Sequence, residues 1–322
     1  MTTTASSGQP AFKNLRLIFM GTPEFAVGSL DALVKAGMNI VGVVTAPDKA
    51  AGRGMNLMQS AVKTYALEHN LPVLQPVKLK DPQFIEALRQ LKPDLQVVVA
   101  FRMLPEIVWN LPPMGTINVH ASLLPQYRGA APINWAVING ETETGVTTFQ
   151  LKHEIDTGNI LLQEKVAIHK SQTAGELHDV LKATGAALLV KTIQELAEGK
   201  ITPMPQSAVI EESLIKHAPK IFTDTCKIDF SQPAQKVCNL IRGLSPYPGA
   251  FTFLNHKMMK VFRCEIEHAE VKESPGTISS DRKTNLKIAC QDGYVHVLEL
   301  QLEGKKRMNV TDFLKGYRWE GA

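Results

Sequence analysis

The chain has 322 residues and a formal net charge of +4; 44% of its residues are hydrophobic and 20% are charged. This composition is typical of a globular protein, and the length is enough for two domains. No apolar run approaches the ~20 residues that span a membrane. The Thr- and Ser-rich start also lacks the apolar segment of a secretory signal.

Strands and helices alternate along the first two hundred residues. Leu15–Met20 is predicted to be a buried strand, and the helix after it has Thr22 as a candidate cap and Pro23 at its first position. Further strands are predicted at 40–45, 72–75, 95–100, 115–120 and 147–151, and helices at 59–69, 81–91, 132–139 and 173–199. This alternation predicts an α/β fold with a doubly wound, mostly parallel, Rossmann-like sheet.

Nucleotide binding through a glycine-rich loop is excluded by the first turn. It reads G-T-P-E-F-A, which is not the G-x-G-x-x-G of a dinucleotide site, and no P-loop motif occurs elsewhere.

The pattern changes after residue 204. One helix at 231–244 is followed by short β-rich runs, and Asp292-Gly293 is a strong hairpin turn. Several short strands separated by turns predict a small OB-like β-barrel. We therefore expect a flexible tail at 1–13, a catalytic domain at 14–203, a linker at 204–220 and an OB-like domain at 221–322.

The positive charge is concentrated in the last third of the chain. Residues 1–219 contain 19 Lys and Arg against 19 Asp and Glu, whereas residues 220–322 contain 16 against 12. A mildly basic second domain could bind a polyanion, although surfaces of this charge are common. The four cysteines are widely spaced without C-x-x-C pairs, which predicts reduced thiols in a cytoplasmic protein.

Three polar side chains stand out near neighbouring strand ends. Asn118 and His120 share the period-two spacing of one strand face, and Asp156 follows the next strand. Ligands of doubly wound sheets bind at the carboxyl ends of strands, which is where we expect all three residues to lie. A structural histidine, a backbone-capping asparagine and an ordinary Asx-turn would explain the same residues.

The chemistry of the three groups suits acyl transfer to an amine. An amide can stabilise an oxyanion without titrating, a histidine can donate a proton near neutral pH, and a carboxylate can accept one from an attacking amine. This stretch contains no cysteine and no G-x-S-x-G serine, so no covalent enzyme intermediate is expected.

A long stretch around these residues resembles a known family. It reads N-V-H-A-S-L-L-P-Q-Y-R-G-A-A-P-I, followed by E-T-G-V-T and I-D-T-G, and it is similar to the signature of formyltransferases that use 10-formyltetrahydrofolate. The resemblance implies that Asn118, His120 and Asp156 are the catalytic residues. It also implies a folate-binding loop made of Ser122, Leu123, Leu124 and Pro125, and no metal.

Other segments resemble the branch of this family that acts on methionyl-tRNA. The start M-G-T-P-E-F-A, the loop A-G-R-G, and two stretches near residues 241–250 and 302–317 carry this likeness. It implies that Arg53 and Lys49 contact the tRNA acceptor stem. Further tRNA contacts are expected at Lys220, Lys305, Lys306 and Arg307.

The resemblance implies formylation of the α-amino group of methionyl initiator tRNA. We further expect the protein to be a monomer in the cytoplasm. Two alternatives stay open. One is a formyltransferase for another amine, such as an amino-sugar nucleotide, and the other is a tRNA-binding protein whose catalytic half has lapsed.

Overall fold

The computed structural model describes residues 11–51 and 56–318. They form two compact units, neither of which is one continuous stretch. The described residues of the first unit are 11–51, 56–128, 145–166 and 179–216, and those of the second are 129–144, 167–178 and 217–318.

The secondary structure of the described residues is as follows. The strands are β1 Leu17–Gly21, β2 Ile40–Val44, β3 Lys49–Ala51, β4 Asn56–Met58, β5 Val73–Leu74, β6 Leu95–Val99, β7 Thr116–His120, β8 Arg128–Gly129, β9 Glu143–Gln150, β10 Ile160–Ala167, β11 His217–Ala218, β12 Ala250–Leu254, β13 Lys257–Glu267, β14 Ile278–Ser280, β15 Leu286–Ala289, β16 Tyr294–Leu302 and β17 Met308–Asn309. The α-helices are α1 Glu24–Lys35, α2 Ala61–Glu68, α3 Pro82–Gln90, α4 Glu106–Trp109, α5 Pro132–Ile138, α6 Ala174–Ala197, α7 Thr223–Cys226, α8 Ala234–Gly243 and α9 Val310–Gly316. Short 3₁₀ turns lie at Ala11–Asn14, Gln206–Ala208 and Glu212–Leu214.

The first unit is built on a seven-stranded sheet in the order β10-β9-β7-β6-β1-β2-β5. Strands β5, β2, β1, β6 and β7 pair in parallel, which confirms the predicted α/β fold. The β1 and β6 strands are buried along their whole length, as continuous apolar runs predict. Strand β9, however, runs antiparallel to β7.

That reversal corrects one part of the expected site geometry. In the β7–β9 register, His120 pairs with Thr147 and Ile117 pairs with Gln150. The carboxyl end of β9 therefore lies beside the start of β7, not beside its end. The carboxyl-end rule places Asn118 and His120 correctly but cannot place Asp156, which depends on the loop after β9.

Helix starts were predicted with mixed success. Asp81 caps α3 as expected, because its carboxylate accepts a hydrogen bond from the amide of Gln83 at 2.9 Å. The prediction that Thr22 caps α1 is wrong. Pro23 occupies the N-cap position and Glu24 is the first helical residue, so Thr22 lies one residue too early to reach the free amides.

The second unit contains a curled antiparallel sheet in the order β12-β13-β16-β15-β14, with β17 added to β16. The apolar side of this sheet packs with α8 and α9 around a single buried cluster. Asp292 and Gly293 turn the chain between β15 and β16, and a Cβ on Gly293 would lie only 2.4 Å from the Glu267 carbonyl oxygen. The Asp292 carboxylate also accepts a hydrogen bond from the Ala234 amide at the start of α8. Within the described residues, no helix is long and apolar enough to cross a membrane.

A reciprocal capping box begins α6, as predicted. The Thr173 amide donates to the Glu176 carboxylate at 2.8 Å, and the Glu176 amide donates to the Thr173 hydroxyl at 3.3 Å. Thr173 is buried, so no water replaces the hydroxyl group if it is removed.

We expect Thr173→Val to lower the free energy of unfolding by ~1 kcal/mol, because valine keeps the shape but loses the capping oxygen. Thr173→Ser, which keeps the oxygen, serves as the matched control and should stay within a few tenths of a kcal/mol of the wild type. Urea denaturation followed by circular dichroism would measure both values. Equal stability of the two variants would contradict a stabilising role for this box.

Candidate active site

His120 ends strand β7 with its imidazole ring almost fully buried. Its Nε2 lies 2.9 Å from the carbonyl oxygen of Tyr127, and its Nδ1 lies 3.8 Å from Oδ2 of Asp156. The ring edge also packs against Phe149, with 6.5 Å between ring centroids. Three contacts on different sides therefore fix the orientation of the imidazole.

The contact with Tyr127 decides which nitrogen is available for chemistry. A carbonyl oxygen can only accept, so Nε2 must donate and must carry a proton. In the neutral ring, the lone pair is then on Nδ1, the nitrogen that faces Asp156. Nδ1 is thus the nitrogen at which His120 can exchange a proton, while the hydrogen bond from Nε2 holds the ring in place.

Asp156 lies in the loop between β9 and β10, with its side chain largely buried. Its backbone has a φ of +55°, the left-handed conformation that aspartate tolerates better than most residues. Gln206 donates its side-chain amide to the carbonyl oxygens of Asp156 and Gly158, both at 2.8 Å. The loop is therefore anchored through its backbone at two points beside the carboxylate.

Gln206 is itself buried and oriented by a charged neighbour. Arg128 donates its Nε to the Gln206 side-chain oxygen at 3.0 Å and its Nη1 to Glu212 at 2.7 Å. Because the arginine occupies the oxygen, the amide nitrogen of Gln206 must point at the loop. This fork of Arg128 and Gln206 sets the position of Asp156 relative to His120.

Gly158 is required by the same loop. A Cβ atom at this position would lie 1.6 Å from the carbonyl oxygen of Gln150, so every other residue would push the loop away from β9.

Asn118 lies two residues before His120, on the same face of β7, and opposite Phe149 in β9. Its carboxamide is half-buried. An uncharged donor at such a position can bind a developing oxyanion without any change of its own protonation.

The segment Ser122–Pro125, expected to bind folate, is held by hydrogen bonds to β9 and β10. Thr147 donates its hydroxyl to the Ser122 carbonyl at 2.7 Å and accepts from the Leu124 amide at 3.0 Å. Gln163 donates to the Leu124 carbonyl at 2.8 Å. The Leu124 side chain is buried against Phe149 and Ile160. A ligand at this segment would therefore meet Leu123 or the backbone rather than Leu124.

The residues expected to contact tRNA differ in the exposure of their side chains and in the partners that they already have. Arg53 lies outside the described residues, whereas Lys49 is exposed at the start of β3. Lys305 and Lys306 are exposed in the turn between β16 and β17. Lys220 is exposed too, with its ammonium group 5.5 Å from the ring centroid of Phe222.

Arg307 is already engaged within the second unit. It forms two hydrogen bonds of 2.6 Å to the Glu299 carboxylate, and its guanidinium lies 4.3 Å from the ring centroid of Phe262.

Within the described residues, no group of three or more His, Cys, Asp or Glu side chains is placed to hold a metal ion.

Two family models match the chain. One, described as "Formyl transferase", matches residues 14–193, and the other, "Formyl transferase, C-terminal domain", matches residues 220–318. The first match alone covers more than half of the chain. The chain belongs to the formyl transferase family.

Relatives within this family are similar over almost their whole length. A methionyl-tRNA formyltransferase from Bacteroides fragilis is 52% identical over 310 residues, which are 95% of this chain and 96% of that protein. A methionyl-tRNA formyltransferase from Parabacteroides distasonis is 53% identical over 313 residues, which are 95% of this chain and 97% of that protein.

Solved structures share the formyl transferase fold at lower identity. An N-formyltransferase from Helicobacter canadensis, in complex with folinic acid and dTDP-3-aminofucose, has a TM-score of 0.65 and 20% identity, over 88% of this chain and 98% of that one. HypX from Aquifex aeolicus, in complex with tetrahydrofolic acid, has a TM-score of 0.64 and 19% identity, over 96% of this chain and 50% of that one. At these identities the likeness concerns the fold alone.

We expect Gln206→Leu to lower the rate constant of formyl transfer by ~10- to 100-fold, because a displacement of about 1 Å at a catalytic group can have that effect. Leucine fills the space but leaves the Asp156 and Gly158 carbonyls unpaired, so the loop relaxes. Single-turnover kinetics would measure the rate constant. Gln90→Leu, the same change on the exposed face of α3, is the control and should leave the rate unaltered. A normal rate for Gln206→Leu would show that the fork does not position Asp156.

Proposed function

We propose that the chain transfers the formyl group of 10-formyltetrahydrofolate to the α-amino group of methionine on initiator tRNA. The observation that carries this proposal is the similarity to methionyl-tRNA formyltransferases, which extends over both family models and 95% of the chain. The contact between His120 and Asp156 supports it independently, because it supplies a site for acyl transfer.

In this proposal each of the three groups has one role. The methionine amine attacks the formyl carbon, and the carbonyl oxygen becomes an oxyanion that accepts hydrogen bonds from the Asn118 amide and from Nδ1 of His120 when that nitrogen carries a proton. His120 acts through Nδ1 since its Nε2 is bound to Tyr127. Asp156 accepts the proton released by the amine and returns it to the folate N10 as the carbon–nitrogen bond to N10 breaks.

A direct transfer fits the groups that are present better than a covalent intermediate. The Ser122 hydroxyl donates to the Gln126 carbonyl at 2.6 Å, and no base is bonded to it in the described structure. The four cysteines all lie between residues 226 and 290, in the second unit. The substrate amine is therefore the nucleophile.

The family and a neighbour solved with tetrahydrofolic acid support a folate co-substrate. We place it along the backbone of Ser122, Leu124 and Pro125 and against the Leu123 side chain, next to His120, with 10-formyltetrahydrofolate as the donor. In this proposal residues 14–203 carry the chemistry, residues 221–322 bind tRNA, and the chain works as a monomer in the cytoplasm.

The two alternatives are less well supported. An amino-sugar nucleotide is bound by the Helicobacter canadensis enzyme, but that protein is only 20% identical to this chain. A lapsed catalytic half would have no need of the anchored loop that holds Asp156 beside His120.

We expect Asn118→Ala to lower kcat/KM for formylation by ~10²- to 10³-fold, the effect of removing one oxyanion donor. The assay follows transfer from 10-formyltetrahydrofolate to methionyl initiator tRNA, with methionyl elongator tRNA in parallel. Asn110→Ala, the same change at an exposed position, should be neutral. Folate consumption with small amines alone, and none with tRNA, would refute the tRNA half of the proposal.

We expect replacement of Lys305 and Lys306 by alanine to raise KM for tRNA several-fold and leave kcat unchanged, because these exposed charges contact phosphates rather than the reacting atoms. The slope of log KM against log salt should become shallower by about one unit per lost contact. Lys315→Ala removes an exposed lysine that is paired with Asp312, and should not change the slope. An unchanged slope in the double variant would place tRNA elsewhere.

A further inference from the structure

The second unit contains a cavity of about 580 Å³ beside helix α8 and strand β13. The residues that line it include Cys238, Arg242, Arg263 and Cys264. None of these residues takes part in the proposed formyl transfer, and all of them lie within the one unit.

The two thiols are direct neighbours although they are far apart in sequence. Cys238 is on α8 and Cys264 is on β13, and Sγ of Cys238 lies 4.0 Å from the Cys264 carbonyl oxygen. Helix α8 and strand β13 also pack directly against each other. Both are free and partly exposed, whereas Cys226 and Cys290 are buried.

The surroundings give the two thiols different roles. The hydrogen bond from Cys264 lowers the pKa of Cys238, and the Arg242 guanidinium acts in the same direction against the effects of burial and Glu265. Arg242 is itself buried one turn along α8, where its Nε donates to Asn239 at 3.1 Å. The same thiol–thiol hydrogen bond and burial raise the pKa of Cys264 well above its usual range. Cys238 is therefore expected to lose its proton more readily than Cys264.

We propose that Cys238 and Cys264 form a reversible thiol–disulfide site that reacts with low-molecular-weight disulfides entering this cavity. The cavity, the contact of Sγ of Cys238 with Cys264 and the buried Arg242 together support this assignment.

The reaction balances in two exchange steps. The Cys238 thiolate attacks one sulfur of the small disulfide, whose S–S bond breaks and releases one thiolate, leaving a mixed disulfide on Cys238. The Cys264 thiol then loses its proton and attacks Sγ of Cys238, and the second small thiolate leaves. The two cysteines are oxidised, the small disulfide is reduced to two thiols, and an added dithiol reverses the process.

The product would join α8 covalently to β13 across a separation of 26 residues. A cross-link of this length restricts the unfolded chain, so the oxidised protein should unfold at a higher temperature than the reduced one.

The test uses the full-length protein and oxidised glutathione as the probe. We expect the wild type to lose the mass of two hydrogens, with peptide mapping that joins Cys238 to Cys264, and to regain it with dithiothreitol. Cys264→Ser should instead trap one glutathionyl group on Cys238, and Cys238→Ser should show neither product. Cys226→Ser is the control and should oxidise like the wild type.

A second measurement does not depend on the variants folding. In the wild type, Cys238 should react with iodoacetamide at least ~10-fold faster than Cys226 and Cys290, because burial raises the pKa of both of those thiols, that of Cys290 to about 11. A bridge that maps to another pair, no loss of mass at all, or equal alkylation of the four thiols would each overturn the proposal.

Discussion

The two hydrogen bonds from Gln206 to the backbone of Asp156 and Gly158 are the constraint on which the candidate site depends. Strand β9 runs away from the end of β7, so the chain after it must return to bring a carboxylate to His120. The return loop needs a left-handed backbone at Asp156 and a close approach of Gly158 to Gln150. The two hydrogen bonds from Gln206 hold both residues from outside the loop.

The two hydrogen bonds from the buried Gln206 side chain are strong enough to stabilise the unfavourable backbone conformation of Asp156. A residue in a sparsely populated backbone conformation costs of order 1–3 kcal/mol. Each hydrogen bond contributes about 1 kcal/mol, while each buried carbonyl left without a partner would cost a further ~1–3 kcal/mol. The pair of bonds from Gln206 therefore offsets the strain at Asp156. Arg128 adds to this by holding the amide in the only orientation that donates to both carbonyls.

The second unit combines engaged and free charges. Arg307 is bound to Glu299 and lies over Phe262, so a phosphate would have to compete with an existing bidentate pair. Lys305 and Lys306 have exposed side chains and can meet a polyanion at a smaller cost. Only some of the cations in residues 220–322 are thus exposed and available to a polyanion. A count of charges does not distinguish these cations from the ones that are already paired within the protein.

The sequence by itself determined the class of the fold, the positions of most strands and helices, and the identity of Asn118, His120 and Asp156 as candidates. Local rules are sufficient for the fold class and for most strands and helices, because apolar runs, caps and turn residues act over a few positions. The three candidate residues were identified by the resemblance of the whole stretch around them. It did not reveal strand β10, whose second half is largely exposed, or the antiparallel direction of β9. Nor did any local signal mark Gln206, which is 50 residues from Asp156, or pair Cys238 with Cys264. Only the tertiary structure decided these contacts, because each depends on which backbone groups the folded chain buries together and leaves in need of a partner.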